Sequence, residues 1–205
     1  MTIHEPATLA TDYLLALVAG GLAWRLHRCT SIASPAVRGW VWTFGFTALS
    51  AIVGGSYHGF APNFSDRLLH GWWLGTLWLV SLSSAAMATS WVHEVLPPAG
   101  RRLGFVLVGL RLLVFAALAV ARPTFAVVIL DYGSSLLLWL GAALLLHRAW
   151  RGWMLTGLAF SATAALVQQL RLAPGAHFNH NDLYHLIQAL GLVAFSRAAT
   201  RLESV

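Results

Sequence analysis

The 205-residue chain has no lysine, one cysteine and little charge of either sign: charged residues make up 10% of it. Each scarcity excludes something. With Cys29 alone there is no intramolecular disulfide and no cysteine-rich metal site. So few charges cannot clothe the surface of a soluble domain, and the remainder is 58% hydrophobic with a mean hydropathy of +0.70. The sequence also lacks a glycine-rich phosphate loop, a GxSxG elbow and an HExxH helix. Phosphate cradling, α/β-hydrolase serine chemistry and zincin-type proteolysis are thereby set aside. All thirteen basic residues are arginine, against seven acids, for a formal charge of +6. In a chain this apolar, that excess reflects orientation signals and anionic headgroups rather than nucleic-acid binding.

What the chain does have is long apolar runs. A membrane-spanning helix needs roughly 20 mostly apolar residues, and seven such runs fall near 11–27, 37–59, 67–92, 103–121, 124–146, 152–170 and 180–198. The breaks "TSIASPAVRG", "APNFSD", "HEVLPPAGRR", "ARPT", "HRAWRG" and "RLAPGAHFNHN" hold most of the prolines. The expectation is an all-α integral membrane protein, one seven-helix transmembrane domain over residues 1–205. Arginines 28, 38, 101, 102, 148, 151, 197 and 201 then fall on one side, and the acidic start with Glu5 and Asp12 on the other. Positive loops stay cytoplasmic, which puts the N-terminus outside and the C-terminus inside. Arg25 and Arg28 follow the first run instead of preceding it, unlike a cleaved signal peptide.

This topology gives the ionisable residues a depth. His58 ends the second predicted helix at the outer face in "GGSYHGF", Asp66 and His70 open the third in "NFSDRLLHGWW", and His180, Asp182 and His185 open the seventh. Asp66 and His70 are four apart and share a helix face. Imidazoles with a nearby carboxylate suit zinc, whose catalytic sites keep three protein ligands and a water of lowered pKa. His58, His70, His180 and His185 are the candidate ligands. Asp66 is the candidate proton carrier, and the hydroxyls of Ser50, Ser56 and Tyr57 lie near His58. A polar structural network, or haem held by His70 and His185, are the other readings. His177 ranks last because its loop reaches solvent. Inside the spans, Arg111 and Asp131 lie about 15 Å and about 10 Å from the outer "ARPT" loop. They form a candidate buried ion pair, with Asp131 left between that role and an active-site carboxylate. The tryptophans of "HGWWLGTLW" would line or anchor an apolar substrate entry.

Seven spans, a histidine ending the second, an acid opening the third and paired histidines opening the seventh resemble the CREST superfamily. It includes the alkaline ceramidases and the adiponectin-receptor-like proteins. The resemblance rests on His58, Asp66, His180 and His185. It implies a zinc-dependent hydrolase of a lipid amide or ester, with a membrane lipid as substrate and Ser56 or Ser50 assisting the water. Gly54 stands where the family has serine. His180 and His185 are five apart instead of four, about 140° around a helix, so His70 is the alternative third ligand. "FNHNDLYHLIQ" also resembles a motif of uncharacterised bacterial membrane proteins, which points to a bacterial inner membrane. A non-catalytic metal-binding or sensing protein is the alternative function.

Overall fold

The computed structural model describes residues 2–29, 34–175 and 178–202. Its helices are α1 (Pro6–Cys29), α2 (Pro35–Phe60), α3 (Asp66–Val95), α4 (Pro98–Ala121), α5 (Phe125–Leu145), α6 (Arg151–Gln169) and α7 (His180–Ala199). A 3-10 turn, Ala61–Asn63, follows α2, and no strand occurs among the described residues beyond one isolated bridge between Gly175 and Phe178. Each predicted span corresponds to one helix. The structure extends α1 and α4 most, because Pro6 and Pro98 open their first turns, where a missing N–H costs nothing. Four segments are long and apolar enough to cross a membrane: Pro6–Arg28, Pro35–Asn63, Pro98–Ala121 and Phe125–Leu145.

Six helices close a ring: α1 packs on α2, α2 on α3, α3 on α5, α5 on α6, α6 on α7, and α7 back on α1. Helix α4 lies outside the ring against α3 and α5, with Leu103, Leu107, Leu110 and Leu113 exposed on its outer face. Close approach depends on glycine at two seams. A Cβ on Gly157 would meet the Phe195 ring at 2.4 Å, and one on Gly55 would meet the Cβ of Asp12 at 2.6 Å. The first lets α6 lie against α7, and the second lets α1 lie against α2.

One end of the ring is filled by aromatic rings. Trp40, Phe44, Trp139, Trp150 and Phe195 are fully buried. The Trp40 centroid lies 5.2 Å from Phe195 and 5.7 Å from Trp139, and Trp139 meets Trp150 edge to face at 5.4 Å. The indole N–H of Trp139 donates to the Met87 carbonyl and that of Trp150 to Glu94 Oε1. These rings are large, rigid and tightly packed, so they plug that end, although the Trp40 indole nitrogen has no hydrogen-bond partner among the described residues.

Outside the ring wall, Arg111 of α4 is tied to α3 and α5. Its guanidinium donates to the hydroxyls of Ser84, Ser134 and Ser135 at 2.7–3.0 Å, and its Nε lies 3.6 Å from Asp131 Oδ1. The ion pair expected from sequence is present. It holds the most lipophilic helix onto the bundle, and Asp131 is buried there, away from the residues that line the ring interior.

Candidate functional site

The other end of the ring is hollow. A cavity of about 320 Å³ lies where α2 and α6 end and α1, α3, α5 and α7 begin, and all six ring helices line it. Its walls are mostly apolar and aromatic, with Trp73, Phe125, Tyr132 and Tyr184 among them. The rings form a chain: Tyr57 packs on Trp73 at 5.4 Å, Trp73 on Phe125 at 6.4 Å, Phe125 on Tyr184 at 6.3 Å and Tyr184 on His185 at 5.3 Å. No arginine lines the cavity among the described residues; its carboxylate and imidazole lining groups are Asp12, His58 and His185.

The local structure of α7 starts with its cap. Asn179 Oδ1 accepts from the backbone N–H groups of Asn181 and Asp182, and the Asp182 carboxylate accepts from the Asn179 N–H at 2.7 Å, a capping box. Asp182 is fully buried and also accepts from the Thr8 hydroxyl at 2.8 Å. The cap therefore fastens the start of α7 to the start of α1. One turn further in, His185 points at α1. Its Nδ1 lies 3.1 Å from the Thr11 hydroxyl and its Nε2 lies 3.2 Å from Asp12 Oδ1.

The Thr11 hydroxyl lies 3.1 Å from both the Thr8 carbonyl and His185 Nδ1. With the ring proton on Nε2, His185 donates to Asp12 Oδ1 in an ordinary hydrogen bond; with the proton on Nδ1, Nε2 and Oδ1 face one another as two acceptors, a pairing that a bound cation would complete. Asp12 Oδ2 is buried and has no hydrogen-bond partner among the described residues.

His58 repeats the pattern on α2. Its Nδ1 lies 3.2 Å from Glu5 Oε2, which leaves Nε2 for a ligand. Glu5 reaches it because the N-terminal segment folds over the end of α2. The His4 N–H donates to the Gly59 carbonyl at 2.9 Å, Asn63 bonds both backbone polar groups of Thr2, and Glu5 turns into α1 with φ of 38°. His58 and His185 both line the cavity.

Of the ligands expected from sequence, His58 and His185 are brought to the cavity. His180 is the first, half-buried residue of α7 and lies outside the lining, as do the exposed Asp66 and His70. Ser56 faces α1, with its hydroxyl 2.9 Å from the Tyr13 hydroxyl and donating to the Ile52 carbonyl, while Ser50 does line the cavity. His177 lies outside the described residues. Among the described residues no three His, Cys, Asp or Glu side chains are gathered as one metal-holding group; the arrangement is two His–carboxylate pairs. Sequence reasoning missed both carboxylates, Glu5 and Asp12, because acids at the chain's start read as orientation signals. The glycine pair at 54 and 55, flat enough to admit a neighbouring helix beside His58, was the available clue.

No curated protein and no solved structure matches the chain. Residues 7–204 match a single family from α1 through α7, and the chain belongs to that family, DUF6962, a family of unknown function.

Proposed function

We propose that the protein is a zinc-dependent hydrolase of a lipid amide or ester, working inside a seven-span bundle of a bacterial inner membrane. In this reading the N-terminus and the cavity lie on the outer side. Helices α3, α6 and α7, of 30, 19 and 20 residues, are about 28–45 Å long at 1.5 Å per residue, enough for a hydrocarbon core of about 30 Å. The arginines cluster at the plugged end, which supports a cytoplasmic placement for it.

One observation carries the functional reading: each cavity histidine has an outer partner at Nδ1, Glu5 for His58 and Thr11 for His185, and His185 Nε2 meets the Asp12 carboxylate inside the cavity. Such tethering fixes the tautomer and orientation of metal-binding imidazoles. His185 and Asp12, 3.2 Å apart, would hold the ion, and His58 would have to swing in from across the cavity to complete a two-histidine-one-carboxylate set of the kind found at catalytic zinc. Bound zinc supplies a hydroxide-like water at neutral pH and polarises the scissile carbonyl. Asp12 Oδ2, buried and free of protein partners among the described residues, is the acceptor for a proton from an attacking water. The aromatic walls take the acyl chain. Because no arginine lines the cavity among the described residues, an uncharged amide or ester suits it better than a phosphate.

Elemental analysis of the purified protein tests the metal: about one zinc per chain, lost in a His58→Ala and His185→Ala double variant. Absence of zinc from protein purified without chelator sinks the reading, and a Soret band would assign the histidines to haem. Turnover of ceramide and phospholipid panels with and without chelator tests the chemistry. Zinc without turnover on any lipid leaves a metal-binding or sensing protein instead.

A further inference from the structure

A second concavity lies at the plugged end and shares no residue with the first. A groove of about 520 Å³ opens between α2 and α4, with α3 as its floor. Its α2 wall runs from Pro35 to Phe46, about 16 Å at 1.5 Å per residue. Trp42 and Phe46 stack on this wall at 5.8 Å, and Phe105 and Leu112 face them from α4. Trp42 is 61% exposed, so the trough opens sideways, towards lipid.

The mouth has one sign of charge. Arg38 is exposed on the first turn of α2, and His93 stands opposite it on the last turn of α3, packed on Phe105 at 4.9 Å. Arg101 is anchored beside them, donating to the carbonyls of His93 and Leu96 at 3.1 Å. His93 Nδ1 is buried without a hydrogen-bond partner among the described residues. No carboxylate lines the groove among the described residues; Glu94, next in the chain, turns instead to the Trp150 indole.

An apolar trough ending in the Arg38 guanidinium and the His93 imidazole, with Arg101 bonded to the His93 carbonyl just outside the lining, matches a ligand with an acyl chain and an anionic head. We propose that this groove is a binding site for an anionic phospholipid, its phosphate between Arg38, Arg101 and His93 and one acyl chain along Trp42, Phe46 and Leu112. Guanidinium groups recognise phosphate oxygens through paired N–H donors. Free phosphate would use the mouth and leave the trough unfilled, whereas a lipid uses both. The assignment does not depend on the cavity at the other end.

Native mass spectrometry of the detergent-purified chain, offered phosphatidylglycerol and phosphatidylcholine of equal chain length, tests it. Wild type is expected to retain phosphatidylglycerol preferentially. Arg38→Gln should lower that retention roughly fivefold, the weight of one basic residue beside an anionic headgroup, and leave phosphatidylcholine unchanged. Gly109→Leu should abolish retention of both, because a Cβ at this groove-lining position meets nothing within 4 Å and the added side chain enters the trough without disturbing the helix. Equal retention of the two lipids by wild type, or unchanged phosphatidylglycerol retention in either variant, overturns the proposal. Displacement of phosphatidylglycerol by inorganic phosphate would overturn it too, reducing the groove to a phosphate site.

Discussion

Replacing Gly55 with alanine should loosen the protein and its cavity together. A Cβ there would lie 2.6 Å from the Cβ of Asp12 and 3.2 Å from two ring carbons of Tyr13. Carbon atoms rest at about 3.5–4.0 Å, so α1 must retreat by roughly 1 Å. Neither contact atom can swing aside, since one is a Cβ on a helix and the other belongs to a ring whose hydroxyl is bonded to Ser56. Overpacking of this kind costs about 1–3 kcal/mol. The same retreat stretches Asp12 Oδ1 from His185 Nε2, 3.2 Å apart, beyond hydrogen-bonding reach, and zinc retention should fall roughly tenfold or more. Reversible unfolding in mixed detergent micelles measures the first effect and competition with a chromogenic chelator the second. Gly45→Ala is the control, because a Cβ there meets nothing within 4 Å and alanine favours a helix interior by up to about 1 kcal/mol. If both alanine variants unfold alike, the close approach of α1 to α2 at Gly55 does not exist and Asp12 is not placed as described.

Arg111→Met should destabilise the bundle by about 3–5 kcal/mol, because it leaves Asp131 buried without its cation. Adding Asp131→Leu should recover most of that loss, and failure to recover it in the same micelle titration would count against the pair as a latch for α4. Asp182→Ala removes both the capping box and the Thr8 bond. It should cost about 1–3 kcal/mol and raise hydrogen exchange at the starts of α1 and α7 together; exchange confined to α7 would show that the cap does not join them. Asp66→Asn and His70→Ala, both at exposed positions outside the cavity, should leave the zinc content unchanged, and loss of metal in either would restore α3 as a source of ligands.

The helices were legible because every one is a long apolar run closed by proline or small polar residues. The cap of α7 was legible nearly to the atom, since "FNHND" offers Asn179 or Asn181 ahead of an acid three residues on, and the structure chooses Asn179. Ring order was not. It depends on where two helices can touch closely, and contacts such as Gly157 under Phe195 join residues far apart in the chain, with no periodic signal. The outlying position of α4 had a trace in composition: its segment is the most apolar of the candidate spans and the least buried, as expected of a helix turned to lipid on most sides.

Depth and direction account for the divided fate of the predicted ligands. Counting residues from the loops put His58, His70, His180 and His185 at one end of the bundle, and they are there. Counting cannot say how far a helix tip stands beyond the cavity. Asp66 is seven residues before Trp73, two turns along nearly the same stripe, and so about 10 Å further out; Trp73 lines the cavity and Asp66 is exposed. His185, by contrast, sits one turn inside its cap, at the level where α1 passes. What a topology count lacked was α1 itself, whose Thr8, Thr11 and Asp12 successively meet the cap, the ring nitrogen Nδ1 and the ring nitrogen Nε2 of α7. Those three side chains rise on one helix over little more than a turn. The first helix thus joins the end of α2 to the start of α7 and brings the Asp12 carboxylate into the cavity.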